Sequence, residues 1–312
     1  MIGSPALPVP RTRRVARQAT PPPATSYRDR LGRRIRSATS DDPVGAIAMV
    51  ALALIVLAVL IGPMLPLPDE QLPSLVDRLK GPMTVGTSGE THLLGTDQLG
   101  RDVLARTLVG GRVSFLVASL TVLVSGTVGT LVGLVAGYRG GILDYVVMRL
   151  VDFQMALPSL LLAIFLLYII GSSVPNLILL LSILSWYSYT RIVRSEVLGV
   201  KSSDYVEAAR AMGASDARIL FRHILPQVLP VLIVITVFDV SVVMLAEAGI
   251  SFLGMGIQPP DTSWGRMIAE GQQFITTGSW WLFAAPGLAI FLTVLSLRLG
   301  SSWLEHVMKG HA

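Results

Sequence analysis

The sequence predicts an all-α membrane protein that crosses the bilayer six times and carries a polar loop between its fourth and fifth spans. The 312 residues are 52% hydrophobic and only 14% charged, whereas a soluble domain carries about 25% charged residues. Six segments approach the roughly 20 apolar residues that a membrane helix needs. Arginines concentrate before the first span and in the polar loop. The positive-inside rule therefore predicts that both segments lie in the cytoplasm.

The six predicted spans define the domain organisation. They cover about 44–66, 113–136, 146–170, 174–193, 228–250 and 282–303. A tail at 1–43 precedes the six-span domain at 44–303, and a short tail at 304–312 follows it. An even number of spans puts both termini on one side of the membrane. The arginine-rich N-terminal tail favours the cytoplasm for that side.

The tail at 1–43 is predicted to be disordered. It contains three successive prolines at 21–23 and lacks apolar periodicity. We interpret its arginines as a topogenic signal beside anionic lipid, and we expect no nucleic-acid partner. Its basic region is too long for a secretory signal peptide.

Two spans contain residues that modify a simple helix. Pro158 can kink the third span. In the second span Gly129, Gly133 and Gly137 recur every four residues and form a stripe of small residues. Such a stripe lets another helix approach closely. Helix packing is the favoured role, and a hinge is the alternative.

The polar loop at 205–226 is predicted to form two short helices. Asp204 and Glu207 have the spacing of a capping box, so the first helix should cover about 205–212. Gly213 should end this helix in a left-handed conformation. Ser215 should cap the second helix.

The first loop helix is predicted to dock onto another protein. Val206, Ala209 and Met212 recur every three residues and would form a small apolar face. The alternatives are a helix-turn-helix that rests on its own bundle, or a DNA-binding motif. We disfavour DNA binding because the loop has few basic residues and its flanking spans hold it against the membrane.

The spacing of residues in this loop resembles the cytoplasmic EAA loop of bacterial ABC importer permeases. In that family the loop receives its motion from an ATPase. The resemblance implies that coupling to the ATPase depends on seven positions: Glu207, Ala208, Ala209, Gly213, Ile219, His223 and Pro226.

Two further blocks are similar to the dipeptide/oligopeptide/nickel group of these permeases. LGTDQLGRD at 94–102 matches its LGTD-x-x-GRD block. The segment 246–265 matches the AE-x-x-x-SFLG-x-G-x-x-PP-x-x-SWG block of the C-type subunit. The resemblance places the first block on the outer face, where six residues are candidates for contact with a solute-binding protein: Gly95, Thr96, Asp97, Gly100, Arg101 and Asp102. The residues themselves predict a structural turn there, with an Asp97–Arg101 or an Arg101–Asp102 pair, rather than a metal or phosphate site.

Three carboxylates lie inside predicted spans, where ionisable groups are costly and often functional. Asp152, Asp239 and Glu247 are therefore candidates for lining a translocation path. For Asp239 the alternative is a buried hydrogen bond to a serine, a threonine or Arg149. The family match of Glu247 favours a structural or gating role.

The sequence contains no motif for chemistry of its own. None of its three lysines, Lys80, Lys201 and Lys309, sits in a G-x-x-x-x-G-K-[ST] motif. It has no cysteine and no Ser-His-Asp or H-E-x-x-H arrangement. We therefore expect no catalytic residue, no metal and no cofactor in this chain, with ATP and Mg bound by partner subunits.

Together the resemblance implies a permease subunit of an ATP-driven ABC importer in the bacterial inner membrane. This subunit would form half of a path for peptides. The implied partners are a second homologous permease, two cytoplasmic ATPase domains, an extracytoplasmic binding protein, membrane lipid and a peptide substrate. The alternatives are a permease for nickel chelates or another small solute, or a stand-alone channel or secondary transporter. Secondary transporters often show internal repeats around broken helices, and we find no convincing repeat here.

Overall fold

The structure is a computed structural model that describes residues 39–64, 74–87 and 89–309. Most of the tail predicted to be disordered, residues 1–38, lies outside the described residues, as do residues 310–312. The described part is mainly helical, and its α-helices are α1 (Pro43–Ile61), α2 (Val103–Arg139), α3 (Gly141–Met155), α4 (Ser159–Ile170), α5 (Val174–Val200), α6 (Asp204–Ala211), α7 (Asp216–Ile219), α8 (Leu225–Phe252), α9 (Trp264–Gln272) and α10 (Trp281–Lys309). A two-stranded antiparallel hairpin, β1 (Thr84–Val85) and β2 (Thr91–His92), lies in the loop before α2.

The number of membrane spans agrees with the sequence, although one span has a different shape. Among the described residues, five helical segments are long and apolar enough to cross a membrane: Pro43–Met64, Val103–Arg139, Val174–Val200, Asp216–Phe252 and Trp281–Met308. Helices α3 and α4 form a sixth span if they are counted together, but they meet at an angle of 86°.

The predicted third span at 146–170 is therefore not one straight helix, and its bend falls next to Pro158, the residue expected to kink it. Pro158 immediately precedes α4. Proline has no backbone N–H and disfavours the helical conformation of the residue before it. The chain consequently breaks at 156–158 rather than bending gently there. The two helices together are apolar enough to pass as one span, so hydropathy alone did not reveal the break.

Helix α2 is the longest α-helix among the described residues, and it connects the two ends of the bundle. It begins ten residues before the predicted span, because Oδ1 of Asp102 accepts a hydrogen bond from the Ala105 N–H at 2.8 Å and caps it. Its 37 residues extend for about 55 Å. This length exceeds the hydrocarbon core of about 30 Å, so both ends of α2 reach beyond that core.

Helix α2 packs closely along α5. A Cβ atom on Gly129 would collide with the carbonyl of Trp186, and one on Gly133 would lie 2.7 Å from the Thr190 carbonyl. The Thr190 hydroxyl donates to the Gly129 carbonyl at 3.2 Å. The predicted packing role of the glycine stripe is confirmed: its small residues allow backbone-to-backbone contact between the two helices.

Candidate functional site

The two short helices predicted in the polar loop are present and form a helix pair at 204–219. Gly213 separates them with φ +80°, the left-handed conformation predicted for it. The Ser215 hydroxyl accepts from the Arg218 N–H at 3.4 Å and caps α7 as predicted. After α7 a π-helical turn, Leu220–Ile224, leads into α8.

The predicted capping box is wrong. Asp204 is the first residue of α6, and Ser203 occupies the N-cap position. Ser203 does not cap the helix with its side chain, because its hydroxyl donates to the Val200 carbonyl at 2.7 Å. Asp204 and Glu207 instead place two negative charges in the first turn of α6, where they interact favourably with the helix dipole.

The prediction that the apolar face of this helix docks onto another protein is also wrong. Val206 and Ala209 are buried against the chain's own bundle, whereas Met212 is 82% exposed. The periodicity correctly identified an apolar face but not its partner. The exposed face of α6 instead carries Glu207 and Ala208.

The seven positions that match the EAA loop fall into two groups. Ala209 and Ile219 are buried and His223 is half-buried, so they anchor the helix pair. Glu207, Ala208, Gly213 and Pro226 are exposed. The segment therefore combines a fixed inner face with a free outer face.

Polar contacts tie the helix pair to the end of α2. The Tyr138 hydroxyl donates to Oδ1 of Asp216 at 2.8 Å. The Arg210 guanidinium lies 5.8 Å from the centroid of the Tyr138 ring. Nearby, Nζ of Lys201 donates to the Gly137 carbonyl at 2.9 Å. Movement of the helix pair is thus mechanically linked to the longest helix of the bundle.

The LGTDQLGRD block lies at the opposite end of α2. Oδ2 of Asp97 accepts from Nε of Arg101 at 2.7 Å and from Arg106 at 2.8 Å. The predicted Asp97–Arg101 pair is therefore confirmed as the one that forms. Asp102 also pairs with Nδ1 of His92 at 2.8 Å.

Most of the six candidates for contact on the outer face are buried within the fold of this loop. Gly95, Thr96, Asp97, Gly100 and Asp102 are buried, and Arg101 is half-buried. Gly100 has φ +77°, and a Cβ there would collide with the backbone of Ser74. These residues hold the loop in shape. The side chains it exposes include Leu93 and Leu99, which the motif did not highlight.

An ion-pair network that the sequence did not reveal joins this loop to α9. Arg106 contacts Glu270 at 3.1 Å, and Arg266 contacts the same carboxylate at 2.9 Å. Burial opposes the charge of Glu270, but the two arginines outweigh it, so the pKa of Glu270 lies below its ordinary value. Residues 106 and 270 are far apart in sequence, and periodicity gives no sign of their contact.

The three carboxylates predicted in the spans have different surroundings. Asp152 is exposed on the surface of α3. Glu247 is fully buried and accepts from the hydroxyls of Ser251 at 2.7 Å and Ser263 at 2.8 Å. It therefore fastens α8 to the N-terminus of α9. Asp239 borders a cavity between α4, α5 and α8.

Comparison with known proteins defines the class. The family model described as "Binding-protein-dependent transport system inner membrane component" matches residues 129–310, more than half of the chain. The chain belongs to this family.

Individual relatives place the chain more narrowly. It is 39% identical over 216 residues to the di/tripeptide transport system permease protein DppC of Pseudomonas aeruginosa, covering 69% of this chain and 71% of that protein. It is 41% identical over 208 residues to the glutathione transport system permease protein GsiD of Pectobacterium atrosepticum, covering 67% and 69%. It is 35% identical over 270 residues to the probable D,D-dipeptide transport system permease protein DdpC of Escherichia coli, covering 86% and 88%.

These matches confirm the predicted kinship with ABC importer permeases of the C-type. The chain is a multi-pass membrane protein and a transport subunit rather than an enzyme. As a member of this family it is one component of a larger transport system.

Proposed function

We propose that this chain forms half of the translocation path of a peptide importer and couples that path to partner ATPases. Relatives named for di/tripeptide, D,D-dipeptide and glutathione transport support a peptide substrate. The helix pair at 204–219 carries the coupling proposal, because it has a free outer face and an inner face fixed to the bundle. The partners are a second permease, two ATPase domains that bind ATP and Mg, and an extracytoplasmic binding protein.

The geometry of the helix pair suits force transmission. Val206 and Ile219 are fully buried and hold the pair to the bundle. The neighbouring outer face carries small residues, Ala208 and Ala211, which allow close approach to a groove on another protein. A pull on this face is passed to α2 through the Tyr138–Asp216 hydrogen bond.

In this proposal the ATP cycle shifts the permease between inward-facing and outward-facing states. A partner can shift such an equilibrium only by contacting the two states differently. The ATPases would do so by moving the helix pairs of the two permeases together and apart. The helix pair and both termini then lie in the cytoplasm, and the LGTDQLGRD loop lies outside.

Uptake of a radiolabelled dipeptide by cells that express the complete transporter tests this proposal. Glu207→Lys reverses a charge on the free face, and Gly213→Pro imposes φ near −65° where the structure has +80°. Both variants should insert normally but lose most uptake. Glu90→Lys is the matched control, since it reverses an exposed charge at the opposite end of the bundle. Normal uptake by both helix-pair variants would refute the coupling role.

A further inference from the structure

A cavity of about 140 Å³ lies between the bent half-helix α4 and helices α5 and α8. Most of its lining is aliphatic. Its polar lining consists of Ser159 from α4, Ser185, Tyr187 and Ser188 from α5, and Asp239 from α8. All three helices belong to segments that can cross a membrane. The cavity is thus a mainly apolar pocket within the membrane domain that carries a few polar groups and a single carboxylate.

Asp239 lies halfway along the 28-residue helix α8, about 20 Å from either end. Among the described residues, its Oδ2 atom is buried and has no hydrogen-bond partner. The Tyr189 hydroxyl is close by, but it too completes no hydrogen bond of normal geometry. The predicted alternative, a buried hydrogen bond to a serine, a threonine or Arg149, is therefore not formed by this oxygen.

Arg298, which stacks on the residue next to Asp239 in sequence, does not neutralise the carboxylate. The guanidinium carbon of Arg298 lies 3.7 Å from the centroid of the Phe238 ring. Successive residues of an α-helix point about 100° apart, so this stacking draws Arg298 to a different side of α8. No ion pair joins Arg298 to Asp239 in the described part of the chain. A half-buried carboxylate with one buried oxygen that completes no hydrogen bond is costly inside a membrane domain unless a ligand or a proton compensates it.

We propose that this cavity binds an organic ammonium group, the charged amino terminus of a peptide in transit, with the Asp239 carboxylate as its counter-ion. The identity of the ligand rests on the peptide-import function proposed above. The hydroxyls of Ser185 and Ser188 line the same cavity and can accept further N–H hydrogen bonds. An ammonium group could donate a charge-assisted N–H···O bond to Oδ2 of Asp239.

The size and chemistry of the cavity favour this ligand. A cavity of about 150 Å³ admits a benzene-sized molecule, so this one has room for an ammonium group and its adjoining carbons. A whole peptide would extend beyond it. A calcium ion requires about six to eight oxygen ligands, whereas this site offers one carboxylate and a few hydroxyls. The site therefore suits a monovalent organic cation better than a divalent metal.

Binding of two probes to the assembled transporter tests the inference. The transporter, containing this chain, its partner permease and the ATPases, is placed in lipid nanodiscs without the binding protein. Dissociation constants are measured for alanyl-alanine and for N-acetyl-alanyl-alanine, which lacks the ammonium group. The wild-type transporter should bind the free amine at least about tenfold more tightly. Asp239→Asn should abolish that preference.

Asp261→Asn is the matched control, because it neutralises an exposed carboxylate outside the cavity, and it should retain the preference. Equal binding of the two probes by the wild type, or an undiminished preference in Asp239→Asn, would overturn the inference. If Asp239→Asn fails to assemble, the wild-type comparison alone decides. Dipeptide uptake by the wild type separates the two proposals. Uptake without the amine preference refutes only the cavity, and the preference without uptake refutes only the import function.

Discussion

The tight contact between α2 and α5 predicts a specific cost for adding one methyl group. In Gly133→Ala the new Cβ would lie 2.7 Å from the Thr190 carbonyl oxygen and 2.9 Å from Cβ of Val193. Ordinary van der Waals contact for such atoms begins near 3.4 Å. The Thr190 contact is with backbone, so no side-chain rotation relieves it. The two helices must separate by several tenths of an ångström.

This separation should lower the free energy of unfolding by about 1–3 kcal/mol, the usual cost of overpacking a well-packed interface. In lipid, contact between helices depends on close van der Waals packing, so the loss extends to neighbouring contacts along the interface. Titration with dodecyl sulfate in mixed micelles, followed by the fluorescence of the five tryptophans, measures the change.

Gly126→Ala is the matched control on the same helix. Its Cβ would lie 3.4 Å from the nearest atom of the Tyr189 ring, which is an ordinary contact. Alanine is also favoured over glycine in helices by up to about 1 kcal/mol, so this variant should be neutral or slightly more stable. If Gly133→Ala is as stable as Gly126→Ala, the close-packing account of the glycine stripe is incorrect.

Two further predictions concern the end of the bundle that carries α9. Glu247→Ala leaves buried serine hydroxyls without their acceptor, so it should lower the free energy of unfolding by about 1–3 kcal/mol for each unsatisfied group. Glu247→Gln keeps one acceptor oxygen and should lower it less. Equal losses of the two variants in unfolding titrations would contradict this role. The second prediction concerns pH. Because the pKa of Glu270 is lowered in the folded chain, its contribution to stability is complete above its ordinary value of 4.5 and is lost as the pH falls through the lower, folded-state pKa. Glu270→Gln should remove that part of the acid sensitivity, whereas parallel loss of stability in both proteins on acidification would contradict the ion-pair account.

The sequence predicted those features that depend on local composition. Hydropathy located the membrane segments, and the conformational freedom of glycine identified the left-handed turn at Gly213. The cap at Ser215 also follows from local chemistry. In each case the physical cause acts within a few residues, so no knowledge of the tertiary structure is needed.

Other features depend on what each element packs against, and these were missed. The apolar stripe containing Val206 and Ala209 was recognised, but periodicity does not distinguish the chain's own bundle from another protein. The break before α4 falls inside a stretch that passes as one span, so only Pro158 indicated it. The Arg106–Glu270 pair joins residues that are distant in sequence, which no local pattern encodes.

Cross-linking of the helix pair to the ATPase tests the central claim most directly. The chain has no cysteine, so an introduced cysteine is the only thiol of this chain. Met212 is 82% exposed on the helix pair, and Val85 is 58% exposed in the loop at the opposite end. With a short bifunctional thiol–amine reagent, Met212→Cys should cross-link to an ATPase subunit in the assembled transporter, and Val85→Cys should not. Absence of a cross-link at position 212, or equal cross-linking at position 85, would contradict the account.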